Sequence, residues 1–209
     1  MSVHRLLSLP VFLAALGLAA AAFAQDAPAS LAIGSPAPKA DVAMKGVDGE
    51  GVSIRGAAGP KGTLVVFTCN HCPWAKAWES RIVEIGNAAA ARGIGVVAIN
   101  SNDPAAYAED SLEEMRKRAH DRGMRFPYVV DADSGVARAF GATRTPEVFL
   151  FDARGLLAYK GAVDDNAKDA AAVKERFLSD AVDAIAKGER PRVSETKALG
   201  CSIKFRSAS

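Results

Sequence analysis

The sequence predicts an α/β fold: a central mixed sheet, parallel strands first and an antiparallel edge last, with helices on both faces. Three observations carry this. Apolar, β-branched runs alternate with stretches of helical period from residue 63 onward. Two such runs then follow each other across Asp152-Ala153-Arg154-Gly155, a turn of hairpin length. A cysteine pair stands where the first buried strand gives way to a helix, the place where open α/β sheets build their sites.

The elements follow in order. "GVSI" (51–54) reads as a short edge strand and "TLVVF" (63–67) as a buried one. A helix starts at Pro73, whose missing N–H is not needed in a first turn. Trp78, Ile82, Ile85 and Ala89 recur on one face of it, and Gly93 stops it. "IGVVAI" (94–99) is the second buried strand. Ser111 and Glu114 form a capping box for a helix that runs to Gly123. "YVV" (128–130) is a third strand and "GVARAF" (135–140) a short helix. "EVFLF" (147–151) and "LLAYKGA" (156–162) make the hairpin. A last helix spans 169–187, with Val173, Phe177, Val182 and Ile185 inward, and Gly188 ends it.

Residues 1–24 have the form of a signal peptide: Arg5, an apolar run, then Ala22-Phe23-Ala24 before the cut. An uncleaved leader would instead be a membrane anchor, the one route to a membrane that this sequence offers. Residues 25–47, rich in Ala and Pro, form an extended entry segment; 48–188 form the domain; 189–209 are a tail without period that carries Cys201. Removing the leader takes one Arg and no acid from a chain of net charge +2. So balanced a charge gives no reason to expect nucleic acid as a partner. A leader predicts export, to the periplasm, where disulfides persist. Three cysteines in a chain this long are too few for a disulfide scaffold, which turns attention to their chemistry.

Cys69 and Cys72 lie in "FTCNHCPWAKAW" (67–78), with both tryptophans close behind. Just ahead of a helix and in its first turn, thiols meet unpaired N–H groups and the positive end of the helix dipole, which favour a thiolate. Two intervening residues allow a reversible disulfide. As a structural staple such a bridge would close almost no loop and add little stability. Zinc would ask for four ligands; copper could take two thiolates and a histidine. Two readings are open for His71: it stabilises the thiolate, making the disulfide more oxidising, or it points to solvent. His120 ends a charged helix and is read as solvated. No phosphate-binding glycine loop occurs, so no organic cofactor is implied.

"CNHCPWAK" at a strand–helix junction, with "RTPEVFLFD" downstream, resembles the thioredoxin superfamily. More narrowly it is similar to peroxiredoxin-like redoxins (AhpC/TSA type) that carry CxxC, a similarity shared by "INSND", "EDSLEEM" and "GCSIKF" and running from about 33 to 205. The resemblance implies a thioredoxin-like three-layer sandwich and a thiol–disulfide oxidoreductase acting on protein dithiols and disulfides with a redox partner protein. It implies Cys69 as nucleophile, Cys72 as the residue that resolves the mixed disulfide, and His71 as tuner of the thiolate. It further implies a cis Thr145-Pro146 bond facing the cysteines, Thr145 pairing with the bound substrate chain, and Trp74 on the groove's rim, with Trp78 in the core. A trans turn at Pro146 is the alternative.

Two departures matter. The peroxidase pattern Pro-x-x-x-Thr-x-x-Cys is missing: Val66 precedes Cys69 by three, and Cys69 itself precedes Cys72 by three. A thiol peroxidase is therefore a rival reading, as is a copper carrier. The acid that many thioredoxins bury six residues before the pair is replaced by Thr63, leaving Lys76 or a water as base. Cys201 has two readings as well: a candidate resolving cysteine that attacks a disulfide held on Cys69, or a buried thiol packed with Ile203 and Phe205.

Overall fold

The computed structural model describes residues 30–206. The expected leader (1–24) lies outside the described residues. The chain runs β1 (Met44–Gly46), β2 (Gly51–Val52), β3 (Gly62–Phe67), α1 (Pro73–Ala91), β4 (Ile94–Asn100), α2 (Leu112–Asp121), β5 (Tyr128–Val130), α3 (Gly135–Phe140), β6 (Arg144–Thr145), β7 (Glu147–Asp152), β8 (Leu157–Gly161), α4 (Phe177–Lys187) and β9 (Cys201–Ser202). Seven of the strands form one mixed sheet in the order β2-β1-β5-β4-β3-β7-β8. β4 and β5 are parallel, while β1, β2, β7 and β8 pair antiparallel with their neighbours. Antiparallel strands thus flank the sheet on both sides rather than on the last side alone. The fold is thioredoxin-like α/β.

β3 is buried along its whole length, which is why it reads as an unbroken apolar run. The pleat divides it. Leu64 and Val66 pack with Trp78, Ile82 and Val83 of α1, Met115 of α2 and Leu178, Val182 and Ile185 of α4. Val65 and Phe67 pack on the other face with Val97, Ile99, Phe149 and the α3 residues Val136 and Phe140. Each such side chain contributes on the order of 1.5–3 kcal/mol by leaving water. This fixes the end of β3, and with it the cysteines.

α1 opens with Pro73 and closes where Gly93 takes φ +82°. Gly86 lets it approach the sheet side: a Cβ there would stand 2.5 Å from the Phe126 ring. Ser111 caps α2, its hydroxyl accepting the Glu114 N–H at 3.4 Å.

The last helix is shorter than its sequence suggests. A single 3₁₀ turn covers Ala170–Ala172, and α4 begins only at Phe177. Side chains compete for the backbone in between. Asn166 Oδ1 accepts the N–H groups of Lys168 and Asp169, Asp169 Oδ1 that of Ala171, and Asp165 Oδ1 that of Lys174. Val173 consequently lies outside the helix, and Leu178, Ala181, Val182 and Ile185 supply its buried face.

The tail is ordered by backbone bonds rather than by a helix. It runs beside β8, Lys160 N–H donating to Ser194 O and Thr196 N–H to Lys160 O, both at 3.0 Å. It then pairs with β6 as β9, and Lys204 N–H reaches Asn102 Oδ1 at 2.7 Å. Among the described residues no helix is long and apolar enough to cross a membrane.

Candidate active site

β3 ends at Phe67, Thr68 N–H bonds Ile99 O, and four residues later α1 begins, with Cys72 as its N-cap. This short bend turns both cysteines toward Thr145. Cys69 Sγ lies 3.2 Å from Thr145 Oγ1, and the Cys72 thiol donates to Thr145 O at 3.2 Å. The Thr145-Pro146 bond is cis. All three cysteines are free thiols. Cys69 is 3% exposed and Cys72 0%.

The two thiols are not equivalent. Cys72 is pulled down to about 4 by the hydrogen bond from Cys69, which outweighs its burial, and further by Cys201 and by the N–H of Ala75 in the first turn of α1. Cys69 is pushed up by the same bond, by burial and by the Asp110 carboxylate. The pair shares one proton. The helix terminus acts on Cys72, the N-cap, whereas Cys69 stands further back against an anion.

That anion was not anticipated. Asp110 is 1% exposed and comes from the turn before α2. Its Oδ1 accepts the Asn70 N–H at 2.6 Å, and its Oδ2 the Asn102 amide at 2.9 Å. His71 Nδ1 meets Oδ2 at 2.6 Å. A carboxylate only accepts, so Nδ1 carries the proton. Tyr107 stacks on the imidazole with centroids 3.7 Å apart. Only 9% of the His71 side chain is exposed, which removes the solvent-facing reading. Ligand atoms of Cys69, His71 and Asp110 all lie within 4.8 Å of one another, a group that could hold a metal ion. His120 is 90% exposed by side chain, as expected of a solvated residue.

Thr63, six residues before Cys69, is the second residue of β3 and lies opposite Phe151, and Lys76 is exposed on α1. The acid beside the cysteines is Asp110 instead. Its signal in the sequence was masked by the capping box of Ser111, its neighbour. Asn70 joins the network: its amide donates to Glu109 O and its oxygen accepts the Tyr128 hydroxyl. Trp74 is 40% exposed on the first turn of α1, whereas Trp78 is buried and donates to Asp164 Oδ1 at 2.7 Å.

Cys201 lies beside the cysteine pair rather than among Ile203 and Phe205. Its Cα partner across β6–β9 is Thr145, so the edge expected to hold a substrate chain is taken by the tail. The half-buried Cys201 packs on Cys69, Cys72 and Ala75, while Ile203 and Phe205 join the cluster of Phe67 and Phe140. Both its thiol and its backbone N–H act on the Cys72 thiol.

The family model described as "AhpC/TSA family" matches residues 33–160. Among solved structures, an uncharacterized conserved protein from Geobacillus kaustophilus is 34% identical, with TM-score 0.79, 85% of this chain and 94% of that one being covered. A hypothetical protein from Sinorhizobium meliloti 1021 is 32% identical, with TM-score 0.79, covering 86% and 97%. A thioredoxin-like protein solved in its oxidized form is 20% identical, with TM-score 0.58, covering 76% and 97%.

Proposed function

The chain belongs to the AhpC/TSA family, and from that premise we propose that it is an exported thiol–disulfide oxidoreductase, periplasmic through its leader. Its Cys69–Cys72 pair exchanges electrons with protein dithiols and disulfides. The observation that carries this reading is the convergence of both thiols on Thr145 at the start of α1, one acidified and the other protonated.

In the reducing direction the Cys72 thiolate attacks a sulfur of a disulfide brought to it. That S–S bond breaks, its second sulfur leaves as thiolate and takes a proton, and a mixed disulfide on Cys72 remains. Cys69 then attacks Cys72 Sγ, closing Cys69–Cys72 and releasing the second sulfur. The Cys69 proton passes to the His71–Asp110 pair, whose ligand atoms lie within 4.8 Å of Cys69 Sγ. Before the exchange the His71 ring is held by Asp110 and the Thr145 edge by the β6–β9 pairing, as a preorganised site requires. Stabilising the Cys72 thiolate favours the reduced form, which makes the disulfide the more oxidising.

Equilibration with glutathione buffers of graded potential, read through Trp74 fluorescence, tests the reading. A two-electron transition that Cys69→Ser and Cys72→Ser both abolish is expected. Absence of a Cys69–Cys72 disulfide at any potential overturns it. The family match also favours a peroxide-reducing activity. Stopped-flow mixing of reduced protein with hydroperoxide separates the two: oxidation within milliseconds supports the peroxidase, and slow oxidation removes it.

A further inference from the structure

The proposed exchange has an access problem. Cys69 and Cys72 are both buried, whereas Cys201 is half-buried and lies on the pair. Four features hold it there. Thr145, the residue both site thiols touch, is its strand partner, and Arg144 pairs with Ser202. Ile203 N–H donates to Thr143 O at 3.0 Å, and Ile203 is buried. Gly200 approaches so closely that a Cβ would stand 2.2 Å from the Thr145 carbonyl oxygen, which fits only glycine. Lys204 N–H is tied to Asn102, whose amide holds Asp110. The tail is thus fastened to the proton-accepting network and to the Thr145 edge at once.

Resting on the dithiol–disulfide reading above, we propose that Cys201 is a third redox thiol whose target is Cys72, and that it carries electrons between the buried pair and a dithiol outside. With the pair oxidised, the Cys201 thiolate attacks Cys72 Sγ. The Cys72–Cys201 bond forms and the Cys69–Cys72 bond breaks. Cys69 leaves as thiolate and takes up the proton that Cys201 lost, so no electron leaves the chain. A thiol of the outside dithiol then attacks Cys201 Sγ. Cys72 leaves as thiolate, and the dithiol's second sulfur displaces Cys201, which is reprotonated. The dithiol has become a disulfide and the pair a dithiol; the reverse sequence runs by the same bonds.

Acidity supports the order of events. Cys201 is pushed up to about 11 by burial first and then by Cys72. The second cause disappears when Cys72 is held in a disulfide, which is when Cys201 has to attack. Cys72, the most acidic of the three thiols, is the best leaving group in the step that meets the outside dithiol.

Disulfide mapping of the full chain after oxidation by glutathione disulfide and acid quenching tests this. In Cys69→Ser, an intramolecular Cys72–Cys201 bond is expected; recovery of both as free or separately glutathionylated thiols overturns the proposal. A second measurement needs no change to the pair. Reduction of the Cys69–Cys72 disulfide by dithiothreitol is expected to be at least about tenfold slower in Cys201→Ser, because a held thiol acts at high effective concentration. Equal rates overturn it. Wild-type and Cys201→Ser chains both forming Cys69–Cys72, with no Cys72–Cys201 in Cys69→Ser, defeats the role of Cys201 alone. A wild-type chain that never forms Cys69–Cys72 defeats the oxidoreductase reading itself.

Discussion

Two buried carboxylates flank α1, and they are held in opposite ways. Asp164, near its second turn, accepts the Trp78 indole N–H and is closed by the Arg81 guanidinium, which also binds Asn166 O and Ala167 O. Asp110, before its first turn, accepts backbone N–H groups, the Asn102 amide and the His71 ring, and among the described residues no Lys or Arg lies within ion-pair distance of it. A guanidinium never gives up its proton near neutral pH; an imidazole does. The first site is therefore built to hold α1 against the loop after β8, and the second to let a proton move beside Cys69.

Removing the permanent cation should have the largest effect. Arg81→Ala leaves the Asp164 carboxylate buried without its partner, a change that costs about 3–5 kcal/mol in comparable buried pairs. Chemical denaturation should show that loss while the exchange rate of the folded fraction stays unchanged. A variant equally destabilised but also slow in exchange would break the contrast, since it would tie Asp164 to the chemistry.

The reverse pattern is expected at Asp110. Asp110→Asn keeps the volume and one acceptor oxygen but cannot take the proton of Cys69. Loss of a positioned acid–base group typically lowers rates by about 100-fold or more. Single-turnover reduction of glutathione disulfide should fall by that order, with a smaller loss of stability than Arg81→Ala. Full activity in Asp110→Asn would sink the proton-transfer role and leave the His71–Asp110 bond as scaffolding.

How these two sites were legible in the sequence differs in the same way. Trp78 announced itself by helical spacing, and the strand, the bend and α1 followed from apolar runs, Pro73 and Gly93. These are local signals, and local physics decides them. Asp110 lies 40 residues from the Asn70 N–H that it accepts, and nothing nearby marks it as part of the cysteine site. The start of α4 was misjudged because Asp165, Asn166 and Asp169 spend their side chains on the backbone, which an apolar period does not register. The tail was unreadable for a related reason: main-chain bonds to Lys160, Thr143 and Asp103 hold it, and such bonds leave no side-chain pattern. That Cys72 is the N-cap was hidden for a further reason: the sequence shows which residues approach a helix, not which one caps it.

The pH dependence of the reduced chain sharpens the contrast further. Cys72 is depressed in the fold, from 9 toward about 4. Its contribution to stability is complete above pH 9, shrinks as pH falls through the interval, and is gone below about 4. Cys69 is raised, so its own contribution holds below pH 9 and is lost only above it. Across pH 4 to 9 the Cys72 effect acts alone in this pair. Reduced wild type should therefore gain stability over Cys72→Ser as pH rises through that window, by denaturation at fixed potential. A difference that is flat with pH would mean that Cys72 carries its proton in the folded protein and that the Cys69 bond does not acidify it.

Tyr107 is where the smallest effect is expected. It stacks on His71 with the rings 2° from parallel, yet it is 39% exposed and makes no bond to the carboxylate. An aromatic pair of this kind adds about 0.5–1.5 kcal/mol beyond its buried area, with the lower end fitting an exposed partner. Tyr107→Ala should lower stability by about 0.5 kcal/mol. It should slow exchange far less than Asp110→Asn does, because Asp110 still fixes the ring nitrogen that bears the proton. Rates matching those of Asp110→Asn would show instead that the stack, not the carboxylate, keeps His71 at the pair. The distinction between a site closed by a fixed cation and one kept open by a titratable ring would then have to be redrawn around Tyr107.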